Sequence, residues 1–174
     1  LVSLEIGYKG LDSLNNLTNK ELIRKLSQNL PDKLIVVAEA IRRNINIKNI
    51  YKLTKIDPWF LNQISDLVKE EKKLKKNGIP KTFKEFSFIK SIGFSDSKIA
   101  ELTTSSIKSI EKKRRKLKIF PVFKKIDTCA GEFKSETPYM YSTYQKLSGN
   151  FSDCESNPTK KEKIIILGGG PNRI

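Results

Sequence analysis

Helix start signals recur through residues 1 to about 120, and they constrain the fold more than any other feature of this sequence. Thr18 and Thr82 are each followed three residues later by Glu, the capping-box pattern in which the two residues bond reciprocally across the first helical turn. Asp57-Pro58 is another start signal, because Asp caps the helix and Pro fits its first position. This spacing predicts a mainly α-helical domain.

Apolar residues recur at i, i+3, i+4 and i+7 within this region, which predicts one inward-facing stripe on each helix. The predicted helices cover residues 18–30, 31–45, 47–53, 57–76, 82–93, 95–102 and 105–117. Gly78 and Gly93 are expected to end two of them. The residues expected to face inward are Leu22, Leu26, Leu30, Leu34, Val37, Ala38, Ile41, Ile45, Phe60, Ile64, Leu67, Val68, Leu74, Ile107, Ile110, Arg114 and Leu117.

The pattern changes after Phe120-Pro121, where helical periodicity stops. Residues 139–144 alternate like a short strand, and residues 147–161 are polar enough for a surface loop or linker. Lys163–Leu167 then predicts a strand buried on both faces, followed by a turn at Gly168–Gly170. Since a helix should follow that turn, we expect a new domain that is cut off as it begins, and a chain that is a piece of a larger protein.

The net charge of +15, from 34 basic and 19 acidic residues, leaves two interpretations open. A basic helical module could bind a nucleic acid, or the lysines could form an ordinary solvated surface. The second is favoured because only six basic residues are Arg, the side chain that binds phosphates and bases bidentately. Within the one dense block, Lys112–Lys118, Arg114 falls on the apolar stripe and is predicted to be buried and paired.

Few residues have the chemistry that catalysis or metal binding requires. The chain has no His, and its two cysteines, Cys129 and Cys154, lie too far apart for a CxxC motif. Cys129 therefore lacks the usual base for a nucleophile, and Asp57 is read as a helix cap rather than a catalytic carboxylate. The sequence predicts no catalytic, cofactor-binding or metal-ligating residue, and the sparse cysteines indicate a reducing, cytoplasmic location.

Two groups of residues carry alternative interpretations. Trp59 and Phe60 could anchor an interface, but core packing beside the helix start is favoured. The polar cluster Asp127–Glu132 could have a functional role, but a buried turn held by bonds between side chains and backbone is favoured.

Several segments, in order, resemble the large subunit of carbamoyl-phosphate synthase. They include a Thr-x-Ile-Asp-x-Trp-Phe-Leu run and, most specifically, an Asp-Thr-Cys run followed by Thr-Pro-Tyr-Met-Tyr-Ser-Thr-Tyr. Departures are Gly131, where the family commonly has Ala, and a segment at residues 145–152 that lacks the usual acidic residues. The segments that carry the resemblance are Ser3–Gly10, Thr54–Leu61, Gly93–Leu102, Asp127–Tyr144 and Gly168–Ile174.

The resemblance implies a helical oligomerisation domain between two ATP-using synthetic halves. It implies that residues 1–15 end the first half, residues 16–162 form the domain, and residues 163–174 begin the half that phosphorylates carbamate. The parent would make carbamoyl phosphate from bicarbonate, glutamine-derived ammonia and two ATP with magnesium, for arginine and pyrimidine synthesis. Its implied partners are the two halves, a glutaminase small subunit and further copies of itself.

Neither nucleotide binding nor catalysis is expected within the piece itself. Gly168–Gly170 fits a Rossmann turn only in part, since Arg173 stands at the third glycine position, and no Walker lysine follows. The resemblance places the ATP-contacting residues downstream, and it makes a role for Asp127–Glu132 beside an ammonia tunnel conceivable. A stand-alone enzyme is disfavoured, and the basic nucleic-acid-binding module remains the alternative function.

Overall fold

The computed structural model describes residues 10–129, 131–133, 139–144 and 154–164. The chain divides into two compact units, Leu1–Phe120 and Pro121–Ile174, at the predicted change of pattern. Helices dominate the described residues, which confirms the mainly α-helical prediction. In the described part of the first unit they are α1 (Asn19–Ser27), α2 (Lys33–Arg42), α3 (Ile47–Thr54), α4 (Pro58–Asn77), α5 (Phe83–Ser91), α6 (Asp96–Leu102) and α7 (Ile107–Lys116).

The predicted caps are present at the helix starts. The Glu21 amide donates to Thr18 Oγ1 at 3.3 Å, while the Thr18 amide donates to the Glu21 carboxylate at 2.8 Å. Thr82 opens α5 with the same reciprocal pair, and Asp57 Oδ1 accepts a bond from the Trp59 amide at 2.7 Å. These bonds satisfy backbone N–H groups that have no partner inside the helix, so both capping-box predictions are confirmed.

Helix α2 lies at the centre of the first unit and packs against α1, α3 and α4. Every residue from Ile35 to Ile41 is buried, including Glu39. The predicted inward position of Leu34 is wrong, since this side chain is 45% exposed. A helix that is apolar on almost all sides is enclosed by other helices. Its buried residues therefore do not form a single stripe. The buried residues packed together in this core are Leu22, Leu26, Val36, Val37, Ala38, Ala40, Ile41, Ile50, Leu61, Ile64 and Val68.

Two further predicted inward positions, both in the first turn of a helix, are also wrong. Phe60 is 57% exposed and Ile107 is 48% exposed. Phe60 precedes the buried Ile64 by one turn and lies on the same side of α4, but burial on this helix begins only at Leu61. In α7 the buried position is Ile110, one turn after Ile107.

The second unit contains an antiparallel pair of strands, β1 (Val122–Lys125) and β2 (Met140–Thr143). The register pairs Val122 with Thr143 and Lys125 with Met140. The Glu155 carboxylate also accepts a bond from the Lys125 amide at 2.7 Å. The short strand expected in residues 139–144 is therefore confirmed, whereas β1 was not predicted.

Several predictions lie outside the described residues. They concern residues 1–9, Ala130, residues 134–138, residues 145–153 and residues 165–174, which include most of the predicted final strand and its glycine turn. Of that strand, Lys163 and Ile164 are described outside any strand, and Ile164 is 92% exposed. The predicted domain bounds, 1–15, 16–162 and 163–174, stay predictions.

Candidate interaction surface

A non-helical segment that precedes α1 is fixed to α2 by two arginines. Arg42 donates to the carbonyl oxygens of Leu11 and Asp12, the latter at 3.3 Å. Arg43 donates to the carbonyl oxygen of Leu17 at 2.7 Å. Backbone carbonyls that lack a helix or sheet partner are satisfied in this way, so the start of the described chain is held against the core.

Two buried carboxylates hold these arginines in place. Glu71 on α4 binds Arg42 bidentately, at 2.8 and 2.9 Å, and Glu39 Oε1 binds Arg43 Nε at 2.8 Å. The Leu14 amide donates to the other Glu39 oxygen at 3.2 Å. We call Glu39, Arg42, Arg43 and Glu71 the Glu39 network; it joins α2, α4 and the segment before α1.

The network changes the proton affinity of its members. Burial raises the pKa of Glu39, but hydrogen bonds from Arg43 and the Leu14 amide, with the nearby Arg42 charge, bring it below its ordinary value of 4.5. Burial lowers the pKa of Arg42, and the Glu71 carboxylate more than restores it. Both groups are therefore held in their charged forms, as expected of a structural ion-pair network.

A second ion-paired group, which is half-buried, confirms that Arg114 is paired. Its Nε donates to Asp96 Oδ2 at 2.9 Å, and its Nη1 donates to the Ile119 carbonyl at 3.0 Å. Lys90 Nζ contacts the other Asp96 oxygen at 2.8 Å. Burial raises the pKa of Asp96, but the two cations bring it below its ordinary range.

The basic block on α7 is divided between the interior and the solvent. Arg114 joins α7 to Asp96, whereas Lys112, Arg115 and Lys116 are exposed. The predicted solvated face and the pairing of Arg114 are confirmed, whereas Arg114 is half-buried rather than buried. This geometry gives the nucleic-acid-binding alternative no support.

Trp59 and Phe60 lie on the surface, so the favoured core interpretation is wrong. They are 61% and 57% exposed, and their rings meet edge to face at a centroid distance of 4.9 Å. Trp59 is two residues from the buried Leu61, which places it about 200° around the helix axis. Of the two interpretations of these aromatics, only the interface interpretation therefore remains.

A groove opens between α4 and α5. One part encloses about 640 Å³, an adjoining part encloses about 570 Å³, and both are lined by Glu70, Lys73 and Phe88. Leu67 and Ile92 line the second part. We call the surface formed by Leu67, Phe88, Ile92, Asp66, Lys69, Glu70 and Lys73 the α4–α5 face.

The sequence predictions missed this groove, although α5 carried a signal for it. Phe86 is fully buried, whereas Phe88 is 49% exposed. Two residues separated by two positions lie about 200° apart on a helix and cannot both face one core. A second aromatic at this spacing indicates that α5 has an apolar surface on its outer side.

The described residues of the polar cluster, Asp127, Thr128, Cys129 and Glu132, form a turn at the surface. The Cys129 amide donates to Asp127 Oδ1 at 2.9 Å, and the Glu132 amide donates to the Cys129 carbonyl at 3.0 Å. The predicted turn is confirmed, but its predicted burial is wrong, because Asp127, Thr128 and Glu132 are exposed. A role for this segment beside an ammonia tunnel stays a prediction.

Two other kinds of site are absent from the described residues. No group of three or more His, Cys, Asp or Glu side chains there is arranged to hold a metal ion. Among the described helices, none combines the length and apolar character needed to cross a membrane. The predictions that concern catalytic, cofactor and metal residues stay predictions.

Comparison with known proteins gives consistent matches. Residues 1–118 match the family model described as the carbamoyl-phosphate synthetase large chain, oligomerisation domain. A carbamoyl phosphate synthase large chain of Pseudomonas aeruginosa is 43% identical over 179 residues, which cover 100% of this chain. The large chain of Buchnera aphidicola is 44% identical over 177 residues, which cover 98% of this chain. The chain spans 16% of the length of each of these relatives.

Proposed function

This chain belongs to the family of the oligomerisation domain of the carbamoyl-phosphate synthetase large chain, and from that premise we propose that it connects two synthetic halves of such a large chain and contributes surface for its assembly. The piece itself carries no active site in this proposal. Its role in this proposal is to hold the two synthetic halves in position.

The proposal extends to the whole protein. The parent makes carbamoyl phosphate from bicarbonate, glutamine-derived ammonia and two ATP with magnesium, together with a glutaminase small subunit. The names of the relatives, each a carbamoyl phosphate synthase large chain, support this extension. A cytoplasmic location belongs to the same proposal, and the free thiols of Cys129 and Cys154 suit a reducing compartment.

One observation supports the non-catalytic role most strongly. The buried charged residues in the described part of the chain are Glu39, Glu71, Lys90 and Lys98, and each forms an ion pair. Lys98, for example, contacts Asp12 Oδ1 at 3.3 Å and Glu101 Oε1 at 2.8 Å. Buried charges in active sites are held ready for substrate, whereas these connect helices to one another.

A chimera tests the proposal. The matching segment of the Pseudomonas aeruginosa large chain is replaced by this chain, and carbamoyl phosphate formation from ammonia is measured together with the sedimentation coefficient. We expect the chimera to retain both activity and assembly, whereas an unrelated helical insert of equal length should abolish both. A chimera that folds and binds ATP but neither assembles nor forms carbamoyl phosphate would contradict the proposal.

A further inference from the structure

We propose that Glu155 is a positioning residue, which holds the chain on the outer edge of β1 through its amide and its carboxylate and so fixes the connection to the second synthetic half. The inference rests on the proposed function, in which this chain joins two synthetic halves, and it adds the residue at which the connection is held. All the contacts that support it lie within the second unit.

Strand β1 pairs with β2 along one edge and has an outer edge on its other side. The Ile126 amide donates to the Tyr139 carbonyl at 3.0 Å, on the side of β2. Because the backbone groups of successive residues in a strand point to alternate sides, those of Phe123 and Lys125 point away from β2. Groups at such an edge can bond to a strand from another chain unless the protein covers them.

Glu155 covers this outer edge. Its amide donates to the Phe123 carbonyl at 2.8 Å, and its carboxylate accepts a bond from the Lys125 amide at 2.7 Å. A residue of a parallel third strand would bond to the same two groups with its amide and its backbone carbonyl. Glu155 begins such a pairing and completes it with its side chain instead. Since Lys125 and Glu155 are 30 residues apart in the sequence, this contact is not a local turn.

The pairing stops after this one residue. Asn157 has a φ of 37°, which lies outside the extended range of a strand, and Pro158 has no amide to donate. The chain therefore leaves the edge of β1 just beyond Glu155. The proposed start of the second half, residue 163, follows after eight more residues, which span less than about 30 Å when fully extended. A fixed Glu155 thus limits where that half can begin.

A neighbouring lysine favours the charged form of Glu155. Lys124 Nζ lies 3.4 Å from the second carboxylate oxygen, and the Lys124 side chain is only 13% exposed. The bond from the Lys125 amide, and then the Lys124 charge, bring the pKa of Glu155 below its ordinary value of 4.5. The contact is therefore complete above that ordinary value and weakens as pH falls through the lowered one.

Amide hydrogen exchange, followed by NMR on the whole 174-residue chain, tests the contact at single residues. Glu155→Ala removes the acceptor, whereas Glu155→Gln keeps an acceptor oxygen without the charge. Glu162→Ala is the matched control, because it removes the same charge from an exposed side chain of the same segment. The Ile126 amide is an internal control, since it bonds to β2.

We expect Glu155→Ala to raise the exchange rate of the Lys125 amide at least about tenfold relative to that of Ile126, because only the first amide loses its acceptor. Glu155→Gln should keep most of the protection, and Glu162→Ala should match the wild type. The chemical shift of the Lys125 amide should also titrate with a midpoint below 4.5 in the wild type, and this titration should be lost in Glu155→Gln.

The chimera described above tests the positioning role. In it, Glu155→Ala should raise the number of ATP molecules hydrolysed per carbamoyl phosphate formed at least about twofold, because a loosened connection places the second half less exactly. Glu162→Ala should leave this ratio unchanged.

Three results would overturn the inference. Equal exchange of the Lys125 amide in the wild type and Glu155→Ala would show that the carboxylate does not hold this edge. Equal losses at Lys125 and Ile126 in both Glu155 variants would assign Glu155 to the stability of the whole strand pair. An unchanged ATP ratio in the Glu155→Ala chimera would exclude a positioning role. The proposed function fails separately, when the chimera without any substitution neither assembles nor turns over.

Discussion

Glu39 joins parts of the first unit that are far apart in sequence. Its carboxylate accepts bonds from the Leu14 amide and from Arg43, while the neighbouring Arg42 reaches Glu71 on α4. A buried carboxylate repays its loss of hydration only when such partners are complete. The segment before α1 therefore depends on a few polar bonds as well as on apolar packing.

Substitution of Glu39 should measure this dependence. Glu39→Gln removes a buried negative charge that pairs with the half-buried Arg42 and Arg43, so the free energy of unfolding should fall by roughly 2–3 kcal/mol. Glu101→Gln is a matched control, because Glu101 also pairs with a basic residue but its side chain is 58% exposed. It should cost less than about 1 kcal/mol. Urea unfolding followed by circular dichroism measures both, and equal losses would contradict the role given to burial.

The dependence of the unfolding free energy on pH, in the acid range, provides a second prediction for individual residues. The pKa values of Glu39 and Asp96 lie below their ordinary values of 4.5 and 3.8, so the unfolded chain binds more protons than the folded chain in that range. Their contribution is complete above the ordinary values and is lost as pH falls through the lowered ones. Asp96→Asn should therefore flatten the fall of unfolding free energy below about pH 4. An unchanged slope would show that this carboxylate titrates normally when folded.

The environment of a side chain was predictable where its charge allowed only one stable arrangement. An Arg on an apolar stripe needs a buried acid, and Arg114 has Asp96. The environments of Trp59 and Leu34 were not predictable, because a large apolar side chain near the start of a helix can be either buried or exposed. Their exposure depends on where neighbouring helices lie.

Four helices end in the same way, although only one of them has a glycine there. In α2, α5, α6 and α7 an amide bonds back to a carbonyl five residues earlier, across a residue of positive φ. The residues of positive φ are Asn44, Gly93, Thr104 and Lys118. A β-branched residue is the least suited to this conformation, so α6 ends at a cost.

Relief of that cost is a prediction at the scale of the element. Thr104→Gly should raise the free energy of unfolding by about 0.5–1 kcal/mol, because glycine adopts the φ of 51° without steric conflict. Thr103→Gly is the control, since Thr103 has a φ of −101° and bonds to the Ile99 carbonyl. It should lower stability by a similar amount. Thermal unfolding compares the two, and destabilisation by Thr104→Gly would contradict this account of the helix end.

Element starts were more predictable than element ends and strands. A capping box is a local bond pattern that four residues specify, so Thr18 and Thr82 marked their helices correctly. Helix ends at Thr104 and Lys118 carry no residue-type signal. Strand β1 exists through its pairing with β2, and no property of Val122–Lys125 alone distinguishes it from a loop.

At the scale of the whole chain, the order of short motifs predicted the family and composition did not. A net charge of +15 favours a nucleic-acid partner as readily as a lysine-rich surface. The spacing of Phe86 and Phe88 indicated an aromatic on the outer side of α5, but the groove itself was not predictable, because it depends on how two helices are placed.

The central claim is that this chain assembles and positions but performs no chemistry. The most direct test is ATP turnover by the pure 174-residue chain with magnesium, bicarbonate and ammonia. The account predicts phosphate release and carbamoyl phosphate formation indistinguishable from a blank without protein, under conditions in which circular dichroism shows the chain folded. Turnover that rises in proportion to chain concentration and persists through repurification would contradict it.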